Sequence, residues 1–467
     1  MISSSVNHAI KKILHFMRGI LVILQTCLFL ICSVISYGQG ALSAELDQYF
    51  EKYQLGSPDK TELKSSSSVI SWGIGIGSLS NREAILFEND LVSDSYTIST
   101  PSESLSPYES LPKTYSGYLL DDPESSIRMS IADDKYYGYI QTGEGKYYIE
   151  PADNFTKTKS AIHVLYQEKD VKNIENSTCA ASQTQRRKSN MQIKESPSLK
   201  SSGCRTYELA IALDNSYVQN HNGTNGAIAQ STAVMNMVAG DYEQAFSEEI
   251  RFEIVEHWVS TCSNCDPWTS SADAGQLLDS FTEWGPAGFN SIHDIGQLWT
   301  GKDIFFRDTN GNPFFSTVGL AWIDVVCRSF RYHILEDFSS SLSQLRVLTS
   351  HEIGHNFNGD HDANGTSFIM SPSITNTTTW SASSQAAINN AITSHNCFSS
   401  CTSSDCDPIV TLSNPVTDQT ITAGQLITTS GAVQISNNVT LSAPNIQLGN
   451  LSIVQGATFT LSAEGCN

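Results

Sequence analysis

The sequence predicts an α/β domain in the middle of the chain, preceded by a β-rich segment and followed by a small all-β repeat module. Three observations carry this. From about 204 to 400, strand-like runs alternate with helix-length amphipathic runs, the pattern of a sheet packed against helices. From 41 to 178 the apolar residues come in short runs punctuated by turn residues. Beyond about 408, a four-residue pattern returns every 20 residues.

Length and charge set the frame. A chain of 467 residues is long enough for about two to four domains. Its formal net charge of −21, with only 16% charged residues, argues against nucleic acid or an anionic membrane as partner. The polar but weakly charged character suits an exported protein. At the N-terminus, Lys11, Lys12 and Arg18 precede an apolar run from Ile20 to Ile35, which closes in Gly38-Gln39-Gly40. Residues 1–40 therefore read as a secretory signal peptide and the localisation as secreted. The competing reading is an uncleaved anchor, the only route to a membrane, and the run is just short of a comfortable span. Of 11 cysteines, Cys27 and Cys32 would leave with the signal, giving 11 − 2 = 9, an odd number in a compartment that pairs them.

In the segment 41–178 the clearest stretches are Ile127 to Ile131, Tyr136 to Ile140 and Lys146 to Ile149. Asp133-Asp134 and Gly143-Glu144-Gly145 separate them, so they read as an antiparallel meander. Residues 179–203 lose apolar content and carry Arg186-Arg187-Lys188, as an exposed, cleavable linker does. In the 204–407 domain, Tyr207 to Leu213 reads as a central strand. Asn225 to Phe246 reads as a helix with Val234, Val238, Tyr242 and Ala245 as its buried stripe. Ile250, Phe252 and Ile254 alternate as the next strand, and Thr317 to Trp322 as another. A helix is expected over Leu342 to Phe357 and a last one over Ser383 to Ser394. In the 408–467 module, Thr420-Ile421-Thr422-Ala423, Thr440-Leu441-Ser442-Ala443 and Thr460-Leu461-Ser462-Ala463 read as stacked β-coils, a spacer or surface-binding device.

The chemistry lies in His351-Glu352-Ile353-Gly354-His355-Asn356-Phe357-Asn358-Gly359-Asp360-His361. Residues four apart share a helix face, so His351 and His355 can reach one metal ion, with Glu352 beside them as a base for water. His361 follows six residues later, where a chain reversal brings in a third nitrogen. Three protein ligands leave one position of a tetrahedral zinc open, a catalytic arrangement. Lone histidines such as His257, His293 and His333 read as structural.

This run, with Ile369-Met370-Ser371-Pro372 downstream, resembles the metzincin zinc peptidases, and Asp362 the adamalysin (reprolysin) branch in particular. Asn358 stands where Gly is usual, and Asn is the non-Gly residue that best takes the positive φ required there. The resemblance implies a mixed twisted sheet with helices, a latent secreted zinc endopeptidase, and protein or peptide as substrate. It makes Glu352 the general base, His351, His355 and His361 the zinc ligands, Met370 an apolar floor beneath the metal and Thr317 to Trp322 the substrate-binding edge strand. Residues 41–178 are similar to reprolysin pro-domains from Ser116-Gly117-Tyr118-Leu119 through Tyr147-Tyr148-Ile149-Glu150-Pro151. Cys327 and Cys397 resemble a bridged pair of the family. Glu208, Asp294 and the Cys397 carbonyl match positions that hold calcium in some reprolysins, although Ser400 replaces an Asn ligand. Cys179 is the candidate cysteine switch, its thiolate filling the fourth zinc position. A Cys179–Cys204 bridge is the competing use of that cysteine. Cys262-x-x-Cys265 carries no second pair that would make it a metal knuckle. A secreted binding protein with a dead peptidase domain and a zinc amidase are the rival functions. Oligomeric state is not readable.

Overall fold

Asp133 and Asp134 take φ of 48° and 63°, left-handed values that short polar side chains tolerate, and so fold the expected meander back on itself. The strands on either side are Asp122–Ala132 and Lys135–Thr142, followed by Gly145–Pro151. Ile127 lies opposite Ile140, and Tyr139 opposite Tyr148. This meander is the centre of a nine-stranded antiparallel sheet. One face buries Trp72, Ile127, Met129, Tyr136 and Ile149 in a core of its own. Tyr139, Tyr148 and Tyr166 join the core of the next sheet instead. The computed structural model describes residues 42–463 apart from 59–63, 67–68, 90, 103, 106–110, 157–160, 173–176, 182–204, 247–249, 308–309, 396, 401–408, 414, 425, 430 and 444. The leader, Arg186-Arg187-Lys188, Cys204, Cys401, Cys406 and Cys466 lie outside these. Among the described residues no helix is long and apolar enough to cross a membrane.

The second sheet contains β1 (Val92–Ser99), β2 (Thr178–Cys179), β3 (Arg205–Leu213), β4 (Ile250–Val259), β5 (Ile295–Thr300), β6 (Thr317–Ala321) and β7 (Tyr332–Glu336). Their spatial order is β2-β6-β7-β5-β3-β4-β1, with Ser104–Leu105 beyond β1 and Ser399–Ser400 against the start of β3. β4, β3, β5 and β7 run parallel, and β6 is antiparallel to β7, so the sheet is mixed. Helices α1 (Asn215–Asn220), α2 (Thr224–Ala245), α3 (Ala274–Gly288), α4 (Leu342–Asn356) and α5 (Ala382–Ser394) accompany this sheet among the described residues. The expected 41–178 unit is not self-contained. Its β1 pairs with β4 at one side of this sheet, and β2, straddling the expected boundary at 178, pairs with β6 at the other. Alternation marks a strand but carries no information about its partner.

α2 departs from the single stripe expected of it. It is buried on every side from Ala227 to Tyr242, while Ala245 is half-buried. The reason is a second cover. The N-terminal sheet packs on its outer face, where Asn236 Nδ2 donates to the Met129 carbonyl at 3.1 Å and Arg128 pairs with Glu243. At Gly240 a Cβ would sit 2.2 Å from the Tyr139 hydroxyl, so only glycine allows the approach. Beside it the Lys146 ammonium lies 3.0 Å from one oxygen of Asp241, and the Arg346 guanidinium of α4 holds the other. All three are buried, and mutual pairing is what makes that tolerable.

In the tail, Val433–Ser442 lies parallel to Val416–Thr422 and to Thr458–Ser462. Thr420 sits beside Thr440, and Thr440 beside Thr460, so one 20-residue repeat is one turn of coil. Leu441, Ala423 and Ala443 point into its separate core. Leu426 packs instead on Ile85, Phe87 and Tyr118 of the N-terminal sheet.

Candidate metal centre

All 15 residues of α4 are buried, because the helix is packed between both sheets and the chain that follows it. Its end is fixed by a Schellman arrangement. Asn358 takes φ 70°, its N–H donates to the His355 carbonyl at 2.9 Å, and the Gly359 N–H donates to the Gly354 carbonyl at 2.8 Å. The reversal sends the chain back along the helix and delivers His361 to the face that carries His351 and His355.

The three Nε2 atoms converge. His355 lies 3.0 Å from His351 and 3.2 Å from His361, and His361 lies 3.2 Å from His351. His351 Nδ1 is 2.6 Å from the Ile369 carbonyl and His355 Nδ1 is 2.7 Å from the Gly359 carbonyl. A carbonyl only accepts, so both rings carry their proton on Nδ1 and turn a bare Nε2 lone pair inward. Burial also keeps the rings neutral, pulling His351 down to about 3 and His361 to about 4. Bare lone pairs this close repel unless a cation lies among them, so the donor set fits zinc.

A fourth donor joins them. Cys179 is a buried free thiol whose Sγ lies 3.5 Å from His355 Nε2, and the four side chains form one potential ligand group. Its segment is threaded between β6 and the chain after Met370. Thr178 N donates to the Ser316 carbonyl, Cys179 N to Pro372, Ala180 N to Gly319, and Ile374 N to Ser177. Burial, and then the Glu352 carboxylate, push the thiol well above its ordinary value, a balance that a cation among the rings would reverse. Glu352 itself is fully buried, and neither carboxylate oxygen has an ordinary hydrogen-bond partner. Burial pushes it up to about 8, with the thiol beside it pulling the other way. It lies against Gly319 of β6, where a Cβ would come within 2.4 Å of Oε1.

A reprolysin family model, described as metallo-peptidase family M12, matches residues 203–423. The middle of this chain is a reprolysin-type metzincin domain. Among similar proteins are two from Naja atra. The zinc metalloproteinase-disintegrin-like atrase-A is 25% identical over 271 residues, which is 56% of this chain and 42% of that protein. The zinc metalloproteinase-disintegrin-like atragin is 24% identical over 265 residues, 53% of this chain and 40% of that protein. The chain thus spans well under two thirds of either relative.

Within the reprolysin domain, Met370 is fully buried beneath α4. A Cβ on Gly354 would meet its Sδ at 2.5 Å, which accounts for glycine inside the motif. Asp362 donates its N–H to the Met370 carbonyl, and its carboxylate accepts from Ser381 at 2.6 Å and Ser384 at 3.2 Å at the start of α5. Cys327 and Cys397 form a disulfide, as do Cys262 and Cys265. Asp294 lies against the Cys327–Cys397 pair and accepts from Glu208 N at 3.0 Å. Burial raises its carboxyl to about 7, and the Glu208 charge adds to this. His257, His293 and His333 are all buried with polar partners.

Several contributors escaped the sequence reading. Asn356 sits inside the motif, where it reads as filler. Its Nδ2 donates to the Trp322 carbonyl at 2.9 Å, and its Oδ1 lies 2.8 Å from His333 Nδ1. His333 Nε2 in turn is 3.1 Å from Gln297. This string ties the end of the metal helix to the chain leaving β6. The Ile369 and Gly359 carbonyls that orient the rings have no side-chain signal at all. Gly319 has one only after Glu352 is known to face it.

Proposed function

We propose that this chain is a secreted zinc metalloendopeptidase made as a latent zymogen. The observation that carries the reading is the convergence of three imidazole nitrogens and one free thiol, with a fully buried carboxylate beside them. In this reading 1–40 is the signal peptide, 41–178 the pro-domain, 179–203 the switch and cleavable linker, 204–407 the catalytic domain and 408–467 the repeat module. The reprolysin match and the two disulfides favour export.

His351, His355 and His361 would hold zinc through neutral imidazole, with Met370 as the floor of the site. The chemistry zinc would supply there, when bound, is Lewis acidity toward a carbonyl and a water. Glu352 takes the proton of the attacking water and delivers it to the leaving amine. Its place one residue after His351, on the same buried helix face as the rings, suits a group that accepts and releases that proton. β6 offers its outer edge to an extended substrate backbone, and that edge is where β2 now lies. Cys179 therefore blocks the site twice, at the metal and along the strand.

The test is a peptide-library digest by the processed enzyme, with and without a zinc chelator. Glu352→Gln should lower hydrolysis by about 100-fold or more while zinc content stays full. His361→Ala should lose zinc as well. Near wild-type turnover in the first variant, or full metal occupancy in the second, sinks the assignment.

Calcium at Glu208, Asp294 and the Cys397 carbonyl is the second ion of this reading, supported by two acidic residues meeting beside the disulfide. With zinc held constant, calcium at about 100 times its Kd should stabilise the fold by about 2.7 kcal/mol. An unchanged melting temperature removes the site.

A further inference from the structure

We propose that the outer edge of β4 is a strand-acceptor site whose occupant is this chain's own Leu91–Leu105 segment. Cutting the linker then leaves that segment in place as a second, non-covalent chain. The proposal rests on the reading of 179–203 as a cleavable linker.

β4 is built like an interior strand. Eight of its ten residues are buried, so its free edge would expose a row of N–H and C=O groups flanked by apolar side chains. β1 covers that edge in parallel. Ile254 N donates to the Leu91 carbonyl at 2.7 Å, and Glu256, His257 and Trp258 lie opposite Thr97, Ile98 and Ser99. Leu91, Tyr96 and Ile98 are at most 4% exposed and belong to the same core as α2 and α4. By burial they are residues of the catalytic core, although they lie upstream of the linker.

A polar relay locks the register. The Ser231 hydroxyl of α2 lies 2.9 Å from the Ala227 carbonyl, so it donates there. That leaves its oxygen to accept from His257 Nε2–H at 3.1 Å. His257 Nδ1 then accepts the Tyr96 hydroxyl at 2.8 Å. Donation runs one way from β1 through β4 into α2, and removing β1 would leave a buried ring nitrogen without its donor. Asn290 Nδ2 adds a bond to Ser99 Oγ at 2.8 Å.

The two ends of the upstream segment are held unequally. β2 pairs over two residues, with a shift in register between them. β1 pairs with β4 at four positions, also with a shift in register, and is in addition anchored in the core through Tyr96 and Ile98. Activation needs only the short, thiol-bearing strand to leave β6, and nothing in that step disturbs β1. The mature enzyme is accordingly a two-chain particle, with β6 as the edge left open to substrate.

The experiment uses the full chain carrying Glu352→Gln, so that it cannot cut itself, and Cys179→Ser, which removes any bridge to Cys204. A recognition site for a specific protease is placed between 182 and 203. After cutting, the two fragments should co-elute in native size-exclusion chromatography and separate in urea. Amides of Ile254 to Trp258 should exchange with deuterium as slowly as in the uncut chain. Ile98→Asp and the milder Tyr96→Ala, introduced in the same background, should speed fragment release by 10-fold or more. Separation of the parent fragments in native buffer overturns the proposal. So does faster exchange along β4 after cutting, or equal retention in both β1 variants. No step measures hydrolysis, so failure of the peptidase reading would show in the peptide digest and not here.

Discussion

Glu150 is fully buried, and its carboxyl sits at the first turn of α4. It accepts from the Tyr166 hydroxyl, from Asn154 Nδ2 at 3.2 Å and from the Leu342 N–H at 3.4 Å. Burial outweighs these bonds and pushes the group up to about 8. A carboxyl raised above its ordinary value stabilises the fold fully below about 4.5, and that stability is lost as pH rises through about 8. Glu150→Gln should therefore flatten the fall in unfolding free energy between pH 5 and 8, by at most about 1.4 kcal/mol per pH unit, as read by denaturant melts at each pH. Glu336, also raised to about 8 by burial, will keep some slope in the variant. An unchanged slope would clear Glu150 of this role. The contact of Glu150 with α4 could not be read from sequence, because it comes from a strand meeting a helix about 190 residues away. His351, Glu352 and His355 were legible for the opposite reason, since helical spacing alone puts them together.

At the scale of elements, local chemistry carried far and pairing did not. Asn358 shows the first. A residue that must take positive φ where a helix ends is limited to Gly or Asn, so the Schellman turn was readable from one side chain. The 20-residue repeat is legible in the same way, because a strict period forces equivalent residues into adjacent coils. α2 shows the second. Its stripe of Val234, Val238 and Tyr242 was sound, yet Asn236 and Gly240 on the other side gave no warning that a second sheet would cover them. β1 is the extreme case. Val92-Ser93-Asp94-Ser95-Tyr96-Thr97-Ile98-Ser99 is polar enough to pass for an edge strand of its own sheet, and it pairs with β4 of the next one instead.

For the molecule as a whole, the proposed zymogen reading turns on what would keep the chain latent. Segment 177–181 is held by backbone bonds to Ser316, Gly319, Pro372 and Ile374, and by the Cys179 thiol at the histidine cluster. These two restraints are separable. Cys179→Ser deletes the soft sulfur ligand and keeps every backbone bond, so the open metal position becomes available while the strand still competes with substrate. The intact, unprocessed Cys179→Ser chain should then hydrolyse a short peptide about 10-fold or more faster than the intact wild-type zymogen. It should remain slower than the processed enzyme, because displacing β2 still costs its ladder. Equal latency in both zymogens would place the lock in the strand, and a Cys179–Cys204 bridge found by non-reducing peptide mapping would remove the thiol from the mechanism. The intermediate outcome is the one the geometry favours, since β2 supplies only two paired residues and a single sulfur atom at the histidine cluster.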